Sequence, residues 1–308
     1  MQYQTARKLF PTDQYRKGFH PEVPRVLHFR EHANLSKLWP CHGGRSQIYQ
    51  LTPFLSKIYF ASDFHLGAPG LLSSREREKT IVRWLDQISG DASQLYLVGD
   101  VFDFWFDYKK VVPRGYTRLL GKLAELRDKG IEIIFFTGNH DLWMKDYFSV
   151  ELDIPILHEP ITQTLGGKLF YIGHGDGLGP GDHGYKRLKK LFRNPLAQFA
   201  FRWIHPDIGI GLADFFSKKS RQAQAPVQQF LGTDREWLIS FVEKEYTQTP
   251  ADYFIFGHRH LPIDYTLSNG RSRYVNLGDW LSFQSYAEFD GVELKLKFYE
   301  KDDVAICI

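Results

Sequence analysis

Residues 94–141 read QLYLVGDVFDFWFDYKKVVPRGYTRLLGKLAELRDKGIEIIFFTGNHD, which indicates a strand, a helix and a second strand in succession. The first run, at 94–100, is rich in β-forming residues and ends in a carboxylate, and a helix is predicted at about 114–129. The same order occurs earlier, where KIYFASD at 57–63 is followed by apolar residues at helical spacing over 73–89. Alternating strands and helices predict an α/β layered domain with a mainly parallel sheet.

Polar residues follow each predicted strand at the point where it ends. Further on, KLFYIGHGD at 168–176, DYFIFGHRH at 252–260 and RYVNLGD at 273–279 each end an apolar strand with a polar loop, and Asp290–Gly291 predicts the turn of a terminal β-hairpin. The candidate functional residues are Asp63, His65, Asp100, Asp103, Asn139, His140, Asp141, His174, Asp176, His258 and His260. In an α/β sheet the loops at the carboxyl ends of the strands face one crevice, so we expect these side chains to converge there.

The donor atoms of this set indicate divalent metal ions. Carboxylate oxygen, imidazole nitrogen and an amide oxygen, without thiolate, suit Mn, Fe or Zn, and the only cysteines in the sequence are Cys41 and Cys307. A single DxH or HxH is more often a hydrogen-bonded structural pair, but several such blocks offer more donors than one ion needs. Two ions roughly 3.5–4 Å apart can share a carboxylate, hold a phosphoryl oxygen and lower the pKa of a bound water. The set therefore predicts phosphoester hydrolysis.

The blocks DFH, GDVFD, GNHD, GHGD and GHRH, in this order, resemble the calcineurin-like metallophosphoesterase family over about 57–299. The resemblance implies a four-layer α/β fold, a β-sandwich flanked by helices, with two divalent cations at its edge. The metal ligands that it implies are Asp63, His65 and His260 for one cation, Asn139, His174 and His258 for the other, and Asp100 as the bridge between them. His140 would stabilise the transition state or protonate the leaving group, and Asp141 would orient it. For Asp103 and Asp176 we expect hydrogen bonds beside the ligands.

A basic helical insertion at about 180–225 follows the GHGD block, and a further helix is predicted at about 226–246. No Asp or Glu occurs between residues 183 and 206, where six basic residues alternate with apolar ones: Lys186, Arg187, Lys189, Lys190, Arg193 and Arg202. The apolar residues Tyr185, Leu188, Phe192, Leu196, Phe199 and Trp203 recur at helical spacing, so we expect them on one face. Such a helix is typical of an anionic membrane surface, where it could form a lid over acyl chains. Packing of the apolar face on the domain is the alternative.

Within the family, the order of motifs and the basic insertion resemble the UDP-2,3-diacylglucosamine hydrolases of lipid A biosynthesis, which cut a pyrophosphate to release UMP and lipid X, typically with manganese. This implies a lipid-linked nucleotide substrate, two divalent ions with Mn²⁺ preferred to Fe or Zn, and a peripheral position on the cytoplasmic face of the inner membrane. The substrate-binding residues that it implies are Asp182, Tyr185, Lys218, Lys219 and Arg221. His140 departs from this pattern, because the best-known of these hydrolases have Arg there, and His can deliver a proton whereas Arg does not titrate. A phosphodiesterase or phosphatase acting on a soluble nucleotide or other phosphoester is therefore the alternative.

Residues 1–54 show no sustained period of 2 or 3.6, so we expect a poorly ordered N-terminal extension to a metallophosphoesterase domain at 55–308. The chain of 308 residues has a formal charge of +3, and its basic residues form no extended track, so no nucleic-acid partner is expected. No apolar run reaches the roughly 18 residues of a membrane span. Without a secretory segment or a disulfide framework, we expect a cytoplasmic protein. The sequence does not indicate an oligomeric state.

Overall fold

The structure is a computed structural model that describes residues 56–179, 189, 192–213, 215, 229–301 and 305–307. The predicted N-terminal extension lies outside these ranges, as does much of the predicted insertion. The described ranges include every strand end that the sequence predicts to carry a metal ligand.

Two six-stranded sheets form the centre of the fold. The strands are β1 (Lys57–Ala61), β2 (Ala92–Val98), β3 (Glu132–Phe136), β4 (Ile156–Leu157), β5 (Ile161–Leu165), β6 (Lys168–Ile172), β7 (Tyr253–Phe256), β8 (Pro262–Thr266), β9 (Arg273–Leu277), β10 (Ser285–Phe289), β11 (Leu294–Phe298) and β12 (Ile306–Cys307). The strand order is β11-β10-β1-β2-β3-β4 in the first sheet and β12-β8-β9-β7-β6-β5 in the second. The predicted terminal hairpin is confirmed as the antiparallel pair β10–β11.

Both sheets are mixed, so the expectation of a mainly parallel sheet describes only their centres. Strands β1 to β4 run parallel, and β10 pairs antiparallel with β1 on the other side. In the second sheet β6, β7 and β9 run parallel, while β5 and β8 pair antiparallel with β6 and β9, and β12 pairs parallel with β8 at the edge. The β-sandwich that the family resemblance implies is confirmed.

The central strands are apolar at consecutive positions because both of their faces are buried. In β2, Leu95 and Leu97 contribute to the core between the first sheet and its helices, whereas Tyr96 and Val98 point into the core between the two sheets. In β7 the same alternation places Ile255 in the core between the two sheets, whereas its neighbours Phe254 and Phe256 lie on the outer face. The period of two therefore divides each strand between two cores.

Helices cover the outer faces of the sandwich. The described helices with complete bounds are α1 (Ser74–Ile88), α2 (Thr117–Asp128), α3 (Tyr147–Glu151), α4 (Pro195–Arg202) and α5 (Trp237–Glu245). The hydroxyl of Ser73 caps α1 by accepting a hydrogen bond from the Glu76 amide. Apolar side chains of α1 and α2 pack on the first sheet, and those of α5 pack on the second, which gives the order helix, sheet, sheet, helix.

Candidate metal centre

The predicted ligands lie at the carboxyl ends of parallel strands. Asp63 stands two residues beyond the end of β1, and Asp100, His174 and His258 stand two residues beyond β2, β6 and β7. Asn139 follows β3 by three residues. Since these strands belong to both sheets, the two sheets supply donors to one edge of the sandwich.

The backbone turns sharply at the predicted ligands. Five of them have a positive φ: Asp63 at 56°, His65 at 43°, Asp100 at 53°, His258 at 65° and His260 at 57°. This left-handed region is uncommon for residues with a side chain, and each such residue costs of order 1–3 kcal/mol. The folded protein therefore carries strain at the turns that direct these side chains towards one another.

Two glycines allow the turns to approach closely. A Cβ at Gly138 would collide with the carboxylate of Asp100, and a Cβ at Gly257 would collide with the carboxylate of Asp63. Because glycine has no Cβ, each backbone can pass directly beside an acidic side chain of the neighbouring turn.

Asp63, His65 and His260 form the first group of donor atoms. The Nε2 atoms of the two histidines lie 3.3 Å apart, and Asp63 Oδ1 lies 3.6 Å from His65 Nε2 and 3.3 Å from His260 Nε2. Donors bound at about 2.1 Å to one ion are separated by roughly 3.0–3.4 Å in octahedral and tetrahedral sites. The spacing of the three atoms is therefore close to that of a set of ligands around one cation.

Asp100, His174 and His258 form a second group, in which the donor atoms lie within 4.8 Å of one another. Asp100 Oδ2 lies 3.2 Å from His174 Nε2 and 3.7 Å from His65 Nε2, so this one carboxylate oxygen faces both groups. The amide oxygen of Asn139 is buried and accepts no hydrogen bond within the described chain.

In His174 and His260 a hydrogen bond engages Nδ1, so Nε2 is the ring atom that can bind a cation. His174 Nδ1 lies 2.9 Å from the carbonyl oxygen of Val98, which can only accept, so Nδ1 carries the proton. His260 Nδ1 lies 3.2 Å from Asp279 Oδ2, the carboxylate–histidine arrangement that fixes the ring orientation of metal ligands. Asp279 was not among the residues predicted from the sequence, although it ends the run RYVNLGD at 273–279 in the same way that Asp63 and Asp100 end theirs.

The pKa values of His65, His174 and Asp63 show that the carboxylates of this site strongly favour positive charge nearby. Burial alone lowers the pKa of both His65 and His174, but neighbouring carboxylates outweigh it and raise each to about 10. Burial opposes ionisation of Asp63, yet His260 and His65 hold its pKa at about 2. Divalent cations would supply the charge that protons otherwise provide. They would also satisfy Asn139 Oδ1, a buried amide oxygen that accepts no hydrogen bond from the residues that the structure describes.

His140 lies beside the two groups of donors. Its Nδ1 is 3.0 Å from the carbonyl oxygen of Asp103, and its amide donates to Asp100 Oδ1 at 2.9 Å. Burial lowers the pKa of His140, although Asp100 opposes the shift, so the neutral ring with the proton on Nδ1 is favoured. The carboxylate of Asp103 lies 3.5 Å from Nδ1 of both His65 and His140.

Asp141 makes different contacts from those expected. Its carboxylate accepts hydrogen bonds from the amides of Gly138 at 2.7 Å and Val101 at 2.9 Å, which joins the turn after β3 to the turn after β2. Burial, followed by the charge of Asp100, raises the pKa of Asp141 to about 7. The geometry thus assigns the contact with the His140 ring to Asp103, and Asp141 supports the backbone around it.

A family model described as calcineurin-like phosphoesterase matches residues 56–262, which include all of these donors. The chain belongs to this family. Among curated relatives, a UDP-2,3-diacylglucosamine hydrolase from Porphyromonas gingivalis is 42% identical over 258 residues, covering 80% of this chain and 98% of that protein. A UDP-2,3-diacylglucosamine hydrolase from Shewanella baltica is 30% identical over 224 residues, covering 73% of this chain and 89% of the relative. The protein is therefore a metal-dependent hydrolase of the phosphoesterase family.

The substrate-binding residues predicted for this phosphoesterase lie outside the described residues; they are Asp182, Tyr185, Lys218, Lys219 and Arg221. One basic residue of the insertion does reach the metal centre, because Lys189 Nζ lies 2.6 Å from Asp176 Oδ2. For Asp176 we expected a hydrogen bond beside the ligands or a loop-capping role. Its carboxylate pairs with Lys189, and the backbone carbonyl of Val98 accepts from His174.

Helix α4 of the insertion packs on the phosphoesterase domain through one side. The rings of Phe192 and Phe201 contact Trp143 at centroid distances of 5.2 and 4.6 Å, and Trp143 Nε1 donates to the Phe192 carbonyl at 2.7 Å. The exposed apolar residues of this helix and its C-cap are Leu196, Phe199 and Trp203, at 78%, 58% and 78% exposure. The expectation of a single apolar face is therefore wrong for Phe192, and Tyr185 and Leu188 lie outside the described residues. No described helix is both long and apolar enough to cross a membrane.

Proposed function

We propose that the protein hydrolyses the pyrophosphate of UDP-2,3-diacylglucosamine to UMP and lipid X, using two divalent cations, with Mn²⁺ as the preferred ion. The observation that carries this proposal is the position of Asp100 Oδ2 between two groups of donors, in a chain that shares 42% identity with a hydrolase of that name. A shared carboxylate is the arrangement that a pair of cations needs in order to act on one phosphoryl group.

The residues proposed to hold the cations are Asp63, His65 and His260 for one, Asn139, His174 and His258 for the other, and Asp100 for both. When bound, the ions would supply Lewis acidity and a water of lowered pKa. Asp279 would keep His260 oriented, and the carbonyl of Val98 would do so for His174. The oxygen and nitrogen donors, without sulfur, suit Mn²⁺.

His140 is proposed to contact the reacting phosphoryl group or the leaving group. Because its Nδ1 bonds to the carbonyl of Asp103, the ring is fixed at the edge of both donor groups. The neutral ring carries its proton on Nδ1, so Nε2 must first take up a proton before it can pass one to a leaving oxygen, whereas the Arg of the lipid A hydrolases would hold phosphate through two hydrogen bonds. This replacement is the observation that favours a soluble nucleotide or other phosphoester as a second candidate substrate.

The exposed side of α4 supports the choice of a lipid substrate. Leu196, Phe199 and Trp203 form an apolar surface on a helix that is anchored to Trp143, only three residues after His140 in the chain. Arg202 of the same segment would face anionic headgroups or phosphate, whereas the guanidinium of Arg193 is paired with Glu159 and donates to the carbonyl of His158. We therefore propose that the protein acts in the cytoplasm, bound peripherally to the inner membrane, with the insertion at about 180–225 acting as a lid over the acyl chains.

The proposal is tested by comparing two pyrophosphates that differ in their acyl chains. The protein is incubated with Mn²⁺ and either UDP-2,3-diacylglucosamine in mixed micelles or UDP-glucose in solution, and UMP release is measured by mass spectrometry. Faster release from the acylated compound, with lipid X as the second product, supports the proposal. Equal or faster release from UDP-glucose would favour the soluble substrate. In ¹⁸O-labelled water one product must carry the label, and an unlabelled pair would exclude hydrolysis.

A further inference from the structure

A buried arginine separates two of the predicted metal ligands. Arg259 lies between His258 and His260, and only 4% of its surface is exposed. Both neighbours have a left-handed backbone, with φ of 65° and 57°. A guanidinium group stays charged at all accessible pH values, so its burial at this turn requires a fixed counter-charge.

Glu236 supplies this charge with two parallel contacts. Arg259 Nε lies 2.8 Å from Glu236 Oε2, and Arg259 Nη2 lies 2.9 Å from Oε1. The guanidinium also lies over the ring of Trp237, at 5.6 Å from its centroid. A buried ion pair is a weak source of net stability, because desolvation of both charges offsets their attraction. Its paired geometry does, however, fix one orientation of the turn.

The same ion pair contacts the end of the insertion. Arg259 Nη2 donates to the carbonyl of Gln229 at 2.8 Å, and Glu236 Oε1 accepts from the amide of Leu231 at 3.1 Å. These residues begin the described chain again after the gap at 216–228. The C-terminal root of the insertion, defined here as residues 229–231, is therefore bonded to both members of the pair.

Gly179, which forms the N-terminal root of the insertion, packs against Trp237, the residue that follows Glu236. Gly179 is the last residue described before the gap at 180–188, and it has φ of +83°. A Cβ at this position would lie 3.2 Å from the carbonyl oxygen of Trp237 and 3.3 Å from its ring. The ring of Trp237 in turn makes an edge contact with that of His258, at 6.4 Å between centroids. Both roots thus meet at Glu236 and Trp237.

We infer that Arg259 and Glu236 are positioning residues that couple the insertion to the metal centre, so that movement of either root changes the placement of His258 and His260. The inference rests on the metal centre proposed above. Substrate binding on the insertion would then shift His258 and His260 through the Arg259–Glu236 ion pair. The ion pair itself would not contact the substrate.

The test uses Glu236→Gln, which keeps the shape of the side chain but replaces one acceptor of Arg259 with a donor. The matched control is Asp264→Asn in the Arg273–Asp264 pair, another two-contact ion pair between β8 and β9 of the same sheet, away from the ligands. Both variants are expected to lower Tm. Only Glu236→Gln is expected to weaken Mn²⁺ binding by about 10–100-fold, at both proposed cation positions, measured by calorimetry and Mn²⁺ EPR without substrate, and to lower kcat on a small chromogenic diester.

A second pair of variants tests the opposite root and applies even if Glu236→Gln does not fold. Gly179→Ala should also weaken Mn²⁺ binding, because the new methyl group presses on Trp237. Gly270→Ala has a similar φ of +66° with no atom near the added Cβ, and it should leave binding unchanged. Wild-type Mn²⁺ affinity in Gly179→Ala, or in a folded Glu236→Gln, would overturn the inference. Failure of the wild-type protein itself to bind Mn²⁺ would instead refute the metal centre.

Discussion

Replacing Phe199 and Trp203 by Ser should impair action on a lipid substrate while sparing a small one. Full burial of one large apolar side chain contributes about 1.5–3 kcal/mol. Since these two are 58% and 78% exposed, contact with acyl chains would bury most of each, worth about 3 kcal/mol together. That free energy corresponds to a loss of roughly 100-fold in kcat/KM for the acylated substrate.

The assay compares kcat/KM for UDP-2,3-diacylglucosamine in micelles with kcat/KM for bis-p-nitrophenyl phosphate in the same buffer. A double variant at Val150 and Val292, which are 70% and 74% exposed in α3 and in the β10–β11 turn, is the matched control. This control variant should hydrolyse both substrates at wild-type rates. If kcat/KM of the Phe199 and Trp203 variant fell by the same factor for both substrates, these side chains would stabilise the fold and would not bind acyl chains, which would refute the prediction.

Three further outcomes follow from the metal centre. Asp100→Ala should reduce turnover by more than about 100-fold, because the shared donor of both groups is lost, and a near-normal rate would contradict its bridging role. Asp279→Asn should weaken Mn²⁺ binding by about 10–100-fold in calorimetry, because Asp279 accepts from His260 with one oxygen and from the Ser282 and Phe283 amides with the other, and Asn has only one oxygen; unchanged affinity would show that this contact does not orient the ring. His65 and His174, whose pKa values are raised to about 10 in the metal-free protein, must lose protons on binding. Mn²⁺ affinity should therefore rise with pH between 6 and 8, and calorimetry in buffers of different ionisation enthalpy should detect release of about two protons per protein; absence of release would refute this.

The sequence pattern singles out most residues of the candidate metal centre because most of them stand just after a strand. That pattern depends only on local order along the chain, and it identified Asp63, Asp100, His174 and His258 without knowledge of which strands pair. Asp279 has the same position after β9. The family motifs end at GHRH, before this strand begins, so they do not single out Asp279.

The contacts that the sequence did not predict are those that depend on tertiary structure. Asp141 follows His140 in the chain, yet its carboxylate turns to backbone amides of the neighbouring turn. Helical spacing placed Phe192 with the exposed residues of the insertion, but a turn precedes α4 and the ring packs on Trp143. The helix predicted from 226 begins only at Trp237, where Glu236 is held by Arg259. In each case a partner distant in the sequence outweighs local periodicity.

The donors of each group come from both sheets. Asp63 and Asp100 follow strands of the first sheet, while His174, His258 and His260 follow strands of the second. Under the proposed assignment each cation would fasten one half of the sandwich to the other, so loss of metal would loosen the same edge at which activity is lost. Chains made during manganese starvation would then be more readily unfolded and degraded, and cells would not accumulate an inactive, metal-free pool.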